Sequence, residues 1–299
     1  MPEGPEVKRT SELLNQLYAD KTIIDINIDI KSRYYISDER RVNPSLINKA
    51  QWTILQKFTQ GFLTFKSKLP LKILRIYARG KKIFFELQHK VTLVSFFGME
   101  GRWEPRPPEG ARKHSNLWLT LSDGTYLDFN DSRHMGSIEF IFNEVDLRRK
   151  LDEFGPDVLQ DEITPEIWTR IIRNNRIRNK PLCEFLLEQE RISGIGNYLR
   201  AEIMYRAQVR PDRPIGELTD EEIERVRIHT IGTSKESYEH SGCSIYTYKD
   251  PLGKEGIFKC QVYGQTVDPY GNEVLTFKDK DNRMVHWVPA VQDERLRRK

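Results

Sequence analysis

Residues 181–209 read PLCEFLLEQERISGIGNYLRAEIMYRAQV. Two helical patterns flank a turn holding two glycines one residue apart, Gly194 and Gly196. The same helical character extends outward on both sides. Upstream, Thr164-Pro165 followed by Glu166 opens a helix, with proline at a favoured first position. Downstream, LTDEEIERV at 218–226 opens another, with Thr219 or Asp220 available to cap it. Residues 161–240 are therefore helical in pattern. Further upstream, Gly155-Pro156 within LDEFGPDVLQ (151–160) marks a connector, and before it the apolar period shortens to two.

That earlier region begins with an amphipathic helix of about fifteen residues, on which Val7, Leu13, Leu14 and Leu17 keep to one side. TIIDINIDI (22–30) then alternates, placing Ile24, Ile26, Ile28 and Ile30 on one face of a strand. KILRIYA (72–78), KKIFFEL (81–87) and VTLVSFF (91–97) read as further strands. In NLWLTLSDGTYLDF (116–129), Leu117, Leu119 and Leu121 share a face. The chain turns at Asp123-Gly124 and resumes with Leu127 and Phe129, a hairpin signal because Asp-Gly tolerates a tight turn. Beyond the helices, residues 257–292 return to strand pattern, with FKCQVYG (258–264) and RMVHWVP (283–289) flanking the turn DPYGN (268–272). The expected fold is α+β and multi-domain. An N-terminal antiparallel β-sandwich with a leading helix covers 1–150 and a linker 151–160. A helical domain covers 161–255, a β-hairpin 256–292 and a basic tail 293–299.

The 299 residues suit about two domains of ordinary size. With 38% hydrophobic and 31% charged residues, no run approaches the ~18 apolar residues of a membrane helix. No basic-then-apolar segment opens the chain, so an intracellular protein without a membrane partner is expected. Three cysteines, Cys183, Cys243 and Cys260, form no CxxC pair and encode neither a disulfide framework nor a zinc site by spacing. The net charge of +4 is modest, but Arg170 to Arg213 carries ten Lys or Arg against five Asp or Glu. The tail ERLRRK is basic as well. Such surface suits a polyanion, although a solvated helix face also produces such a run.

Four places carry chemistry. The chain opens MPEGPE, and a small penultimate proline permits removal of the initiator methionine. Pro2 then presents a secondary amine with a pKa of about 8, a nucleophile at neutral pH. Attack on a sugar C1′ gives a cationic iminium, which invites β-elimination of the adjoining phosphate. Glu3 lies beside it as an acid able to protonate the departing sugar or base. Proline and glutamate are equally what a helix start favours. Second, Lys81 in RGKKIFFEL (79–87) sits at the mouth of a strand, placed for a phosphate or for ordinary solvation. Third, in SGIGNYLRAE (193–202), Gly194 and Gly196 permit close backbone approach, the following helix directs its amides at the same place, and Asn197 adds an amide. That geometry binds phosphate, although a plain tight turn explains the glycines too. Fourth, Arg283 follows the turn-prone DKDN of the terminal hairpin, while only Cys260 and His286 there could ligate a metal, two short of a structural zinc.

Together and in this order, these features resemble the formamidopyrimidine-DNA glycosylase and endonuclease VIII family of base-excision repair. MPEGPE resembles the endonuclease VIII form of the opening and RGKKIFF the catalytic-lysine strand. SFFGMEGRW (95–103) and FNDSRHMG (129–136) are similar to two intercalation loops, and FGPDVL (154–159) to the interdomain linker. LLEQERISGIGN (186–197) resembles the helix–two-turn–helix core, and VYGQTVDPYGNEV with RMVHWVPAVQ the C-terminal finger. The resemblance implies that Pro2 is the Schiff-base nucleophile, Glu3 the acid and Glu6 a further acid near the site. It implies that Lys81 contacts phosphate and supports proton transfer. Asn197 with Gly194 and Gly196 would hold the DNA backbone, and Arg283 would grip it from the finger. Met99, Arg133 and Met135 fall on the void-filling positions, needed because a damaged base must leave the stack before its sugar is reached.

Two departures stand out. Val288 and Val291 occupy the places of the last two finger cysteines in zinc-bearing members, and PYGN replaces the first pair. This resembles the zincless-finger, endonuclease VIII-like branch, so no metal and no cofactor are expected. Met135 stands where an aromatic is common. The implied activity is a bifunctional glycosylase and abasic-site lyase, cleaving by β,δ-elimination. The opening and finger lean toward oxidised pyrimidines and hydantoins, whereas GCSIYTYKDPLGKEGIF (242–258) resembles the loop of the purine-preferring branch. The expected partner is damaged double-stranded DNA, with single-stranded and bubble DNA left open, bound by a monomer. The alternative is an inactive binder of distorted DNA, against which the presence of both Pro2 and Glu3 argues.

Overall fold

The computed structural model describes residues 2–29, 32, 49–106, 114–244 and 248–293, so the basic tail 294–299 and Ile30 lie outside the described residues. By contacts the chain divides into two units. The first comprises Met1–Pro2, Val7–Leu151 and Tyr248–Lys254; the second comprises Glu3–Glu6, Asp152–Thr247 and Glu255–Lys299.

In the first unit, α1 (Gly4–Tyr18) buries Val7, Leu13, Leu14 and Tyr18, and Leu17, expected on the same side, is 37% exposed. β1 (Thr22–Ile28) departs from strict alternation. Its register against the later strand 115–121 shifts between Ile23 and Asp25, so a bulge flips the phase. Ile23 and Ile26 enter the core, while Ile24 is exposed. A helix that strand periodicity did not announce, α2 (Lys49–Ser67), follows. Then come β2 (Leu71–Arg79), β3 (Lys82–Leu87), β4 (Val91–Phe96), β5 (Arg102–Arg106), β6 (Ser115–Leu121), β7 (Tyr126–Asn130), β8 (Ser137–Ile141) and α3 (Glu144–Leu151).

Among the described residues the strands run in the order β5-β7-β6-β1-β2-β3-β4-β8. β1 and β2 pair only at Thr22↔Lys72 and Ile23↔Leu71, and this short seam lets the sheet fold into two halves. Their inner faces share one core. Trp103 of β5 lies 5.1 Å from the Phe85 ring of β3 and 5.2 Å from Phe129 of β7. Phe58 and Phe65 of α2 pack on Phe140 of β8 at ring distances of 5.7 and 5.0 Å. Each such buried aromatic is worth roughly 1.5–3 kcal/mol. The β6–β7 hairpin turns at Asp123-Gly124 as its sequence indicates, with Thr125 N donating to Asp123 Oδ1.

The second unit holds α4 (Pro165–Ile172), α5 (Leu182–Phe185), α6 (Asn197–Arg206), α7 (Asp220–Glu239), β9 (Leu275–Lys278), β10 (Met284–Trp287) and α8 (Pro289–Gln292). Thr164 caps α4 by accepting from Ile167 N at 3.3 Å. Thr219 and Glu222 form a complete capping box on α7, a feature worth about 1 kcal/mol. α6 is the central element, with every residue from Tyr198 to Tyr205 buried.

The terminal hairpin differs from its expected form. β9 pairs with β10 from Leu275↔Trp287 to Lys278↔Met284, so its loop is Asp279–Arg283 and not DPYGN. Asp268 closes DPYGN locally by accepting from Tyr270 N and Asn272 N at 2.9 and 2.8 Å, and FKCQVYG forms no strand. The basic run is also thinner than its count. Among the described residues seven of its ten cations enter ion pairs, and Arg170, Arg176 and Arg178 are exposed without one. No helix among the described residues is long and apolar enough to cross a membrane.

Candidate active site

The opening knot is the N-terminus of α1. Glu3 is its N-cap and Glu6 its third residue, and Glu6 Oε2 reaches back to accept from Glu3 N at 2.8 Å, half of a capping box. Glu6 therefore fixes the peptide that follows Pro2. It is fully buried and also accepts from Tyr198 Oη at 2.9 Å and Cys243 N at 2.8 Å. Burial pushes its pKa above the ordinary 4.5, against the pull of these donors. Burial, then the nearby Glu6 and Glu3, hold the Tyr198 hydroxyl well above 10, so it stays a donor.

Glu3 turns the other way. Its carboxylate accepts from Gly196 N at 2.8 Å, Tyr198 N at 2.9 Å and Leu199 N at 3.2 Å, the first amides of α6. These are the donors that the sequence aims at a phosphate; in the structure an internal carboxylate takes them. Gly196 has extended backbone, φ −129°, that any residue adopts, but a Cβ there would overlap Cγ, Cδ and Oε1 of Glu3. Gly194, at φ +102°, needs its freedom for conformation, and its carbonyl accepts from Gly4 N at 2.8 Å. The two glycines thus serve the docking of residues 3–6.

Asn197 starts α6 and leans toward the hairpin. Its Nδ2 donates to Met284 O at 3.2 Å and Tyr263 Oη at 3.4 Å, while Oδ1 is buried without a hydrogen-bond partner among the described residues. This places it beside Arg283, the residue before Met284. Arg283 is half-exposed, 3.6 Å from Asp281.

In the first unit, Pro2 is buried and Lys81 is half-buried on the two-residue turn between β2 and β3. The structure brings Met99, Arg133 and Met135 onto two adjacent loops. A Cβ at Gly98 would overlap the Met135 carbonyl, Ser132 Oγ donates to Glu100, and Arg133 lies 4.0 Å from Glu100. Asp131, which sequence reading missed, shapes the second loop by accepting from Arg133 N at 3.2 Å and Gly136 N at 2.7 Å. Met135 is 49% exposed, and Met99 is half-buried.

A zinc does not fit the hairpin. Among the described residues no group of three or more His, Cys, Asp and Glu is placed to hold a metal. Cys260 instead touches Cys243, Sγ to Sγ at 3.1 Å, a pairing that their spacing did not reveal, and His286 packs on Tyr263.

The raised pKa of Glu6 has a definite sign. Its neutral form is favoured in the folded chain, so its contribution to stability is full below pH about 4.5 and is lost as pH rises through the folded value. Unfolding of wild type and Glu6→Gln from pH 4 to 8 is expected to show wild type losing stability relative to the variant as pH rises. A pH-independent difference would remove Glu6 as a buried titrating group.

Residues 1–138 match the Formamidopyrimidine-DNA glycosylase N-terminal domain, 154–248 its H2TH domain and 249–293 its C-terminal domain. The formamidopyrimidine-DNA glycosylase of Streptococcus pneumoniae is 30% identical over 301 residues, covering 98% of this chain and 99% of that protein. The structure of Lactococcus lactis Fpg in complex with DNA containing an abasic site superposes with a TM-score of 0.80 at 24% identity, covering 98% of this chain and all of that one. The wild-type Lactococcus lactis Fpg complexed with DNA containing an oxidised pyrimidine gives 0.79 at 23% identity, with the same coverage.

Proposed function

The chain belongs to the formamidopyrimidine-DNA glycosylase family, and from that premise we propose a bifunctional DNA glycosylase and abasic-site lyase that excises oxidised bases through Pro2. The observation that carries this reading is the Glu3 carboxylate, next in the chain to Pro2 and held by three backbone amides. With Met1 removed, the neutral Pro2 nitrogen attacks C1′ as the C1′–base bond breaks, and the base departs with its electron pair and takes up a proton. The nitrogen passes its own proton to Glu3. Glu3 returns that proton to O4′ as the C1′–O4′ bond opens, leaving the C1′=N iminium. The iminium acidifies C2′, whose proton loss expels the 3′ phosphate. A second elimination releases the 5′ phosphate.

Lys81 is assigned a phosphate contact and proton transfer, and Asn197 and Arg283 contacts to the DNA backbone. Met99, Arg133 and Met135 fill the space of the displaced nucleotide. Oxidised pyrimidines and hydantoins are the favoured substrates, with ring-opened purines also accepted. The MPEGPE opening and a hairpin without paired cysteines support that preference.

The test is borohydride trapping on duplexes containing thymine glycol, a hydantoin or a formamidopyrimidine. The expected result is a covalent adduct that maps to the N-terminal peptide of the processed chain. Tight binding without any adduct or excised base would instead identify an inactive binder of distorted DNA.

A further inference from the structure

A hairpin of two four-residue strands is marginal by itself and needs an anchor. Among the described residues no metal-ligand set supplies one, and two side chains of α6 do. Glu202 on α6 accepts from the backbone amides of Gln261, Val262 and Tyr263 at 2.9, 3.0 and 3.0 Å, fixing the chain as it enters the hairpin region. Two positions earlier on the same helix, Arg200 reaches the far loop. Its guanidinium donates to Asp279 Oδ2 at 2.8 Å, to Cys183 O at 3.0 Å and to Met284 O at 3.5 Å. The Arg200 and Asp279 side chains are 0% and 2% exposed.

Asp279 is more than a counter-ion. Its other oxygen accepts from Asp281 N at 3.0 Å and Arg283 N at 2.9 Å, while its own amide donates to Arg283 O at 3.0 Å. The five-residue loop is thus wrapped around one carboxylate, and that carboxylate is held by Arg200. Lys280 adds a tether to Glu184 at 3.2 Å. A buried ion pair gains little over an apolar contact once desolvation is counted. Simple adhesion of the hairpin would be served as well by hydrocarbon. What hydrocarbon cannot do is fix the backbone on both sides of Arg283.

We propose that Arg200 and Asp279 form a positioning pair that sets the direction of Arg283 toward a DNA phosphate. The proposal rests on the reading of Arg283 as a phosphate contact, and its test separates the two. The affinity of the full chain for a duplex carrying a stable abasic-site analogue is measured from 50 to 200 mM KCl. The variants are Arg283→Ala, Arg200→Lys, Asp279→Asn and the double variant Arg200→Lys/Arg283→Ala. Losing one phosphate contact lowers the salt exponent by about 0.9. Arg283→Ala is expected to show that drop, Arg200→Lys and Asp279→Asn the same drop, and the double variant no further one. Circular dichroism and cooperative melting establish that each variant is folded, and Asp279→Asn, which keeps size and an acceptor oxygen, carries the test if Arg200→Lys does not fold. If Arg283→Ala lowers the exponent while a folded Arg200→Lys or Asp279→Asn keeps the wild-type value, the positioning role is overturned. An additive double variant overturns it as well. An unchanged exponent in Arg283→Ala removes the phosphate contact itself.

Discussion

A chain that carries an uncleaved extension ahead of Pro2 forms no covalent adduct with lesion-bearing DNA on addition of borohydride. The extension converts the Pro2 nitrogen from an amine into an amide, whose lone pair is delocalised and not nucleophilic. Strand cleavage through an imine then falls by at least about a thousandfold, equivalent to about 4 kcal/mol on the barrier. Pro2→Gly separates the nitrogen from the ring. It leaves a primary amine that still condenses with C1′, so trapping persists at a reduced rate. Affinity for a duplex with a stable abasic-site analogue stays within a few-fold in Pro2→Gly, because the nitrogen acts in bond making. Wild-type trapping by the extended chain, or an adduct mapped to a lysine, would end the assignment of Pro2.

The second large effect is expected at a residue with no side chain. Gly196→Ala inserts a methyl group into the space held by the Glu3 carboxyl. Backbone strain is not the cause, since φ −129° suits alanine. The clash is with a carboxylate that three amides hold in place, so either Glu3 leaves those amides or the start of α6 shifts. Overpacking of this kind costs about 1–3 kcal/mol. Displacing a catalytic group by an ångström lowers kcat by roughly a hundredfold. Glu3→Gln gives the comparison. If Gly196→Ala acts through Glu3, the double variant is no slower than the slower single one. Additive losses in kcat would place the damage elsewhere in α6.

Much of this was legible in the chain, and the reasons differ by element. The β6–β7 hairpin and the caps on α4 and α7 are local, written in residues a few positions apart, and the structure repeats them. α2 does carry a local signal, since Phe58, Phe62 and Phe65 recur at the i, i+4, i+7 spacing of one helix face. The alternation of β1 does not reveal its phase, because Ile23 and Ile24 stand side by side and the bulge between Ile23 and Asp25 decides which of them faces the core. The hairpin loop was misplaced because DPYGN carries stronger turn residues than DKDNR, yet Asp268 satisfies DPYGN internally. For the site, Pro2 and Glu3 could be singled out by their chemistry. The amides that hold Glu3 lie 193 to 196 positions away, a distance no local pattern spans. The same holds for Arg200, which reads as one more member of a basic run until its burial is seen.

That separation also orders events during synthesis. The residues that clasp Glu3 and Glu6 emerge from the ribosome only after some two hundred others, at roughly 5–20 residues per second. For roughly 10–40 s the head of the nascent polypeptide has no dock. The proposed use of Pro2 as nucleophile therefore places the removal of any preceding residue in that interval, before Glu3 and Glu6 are clasped.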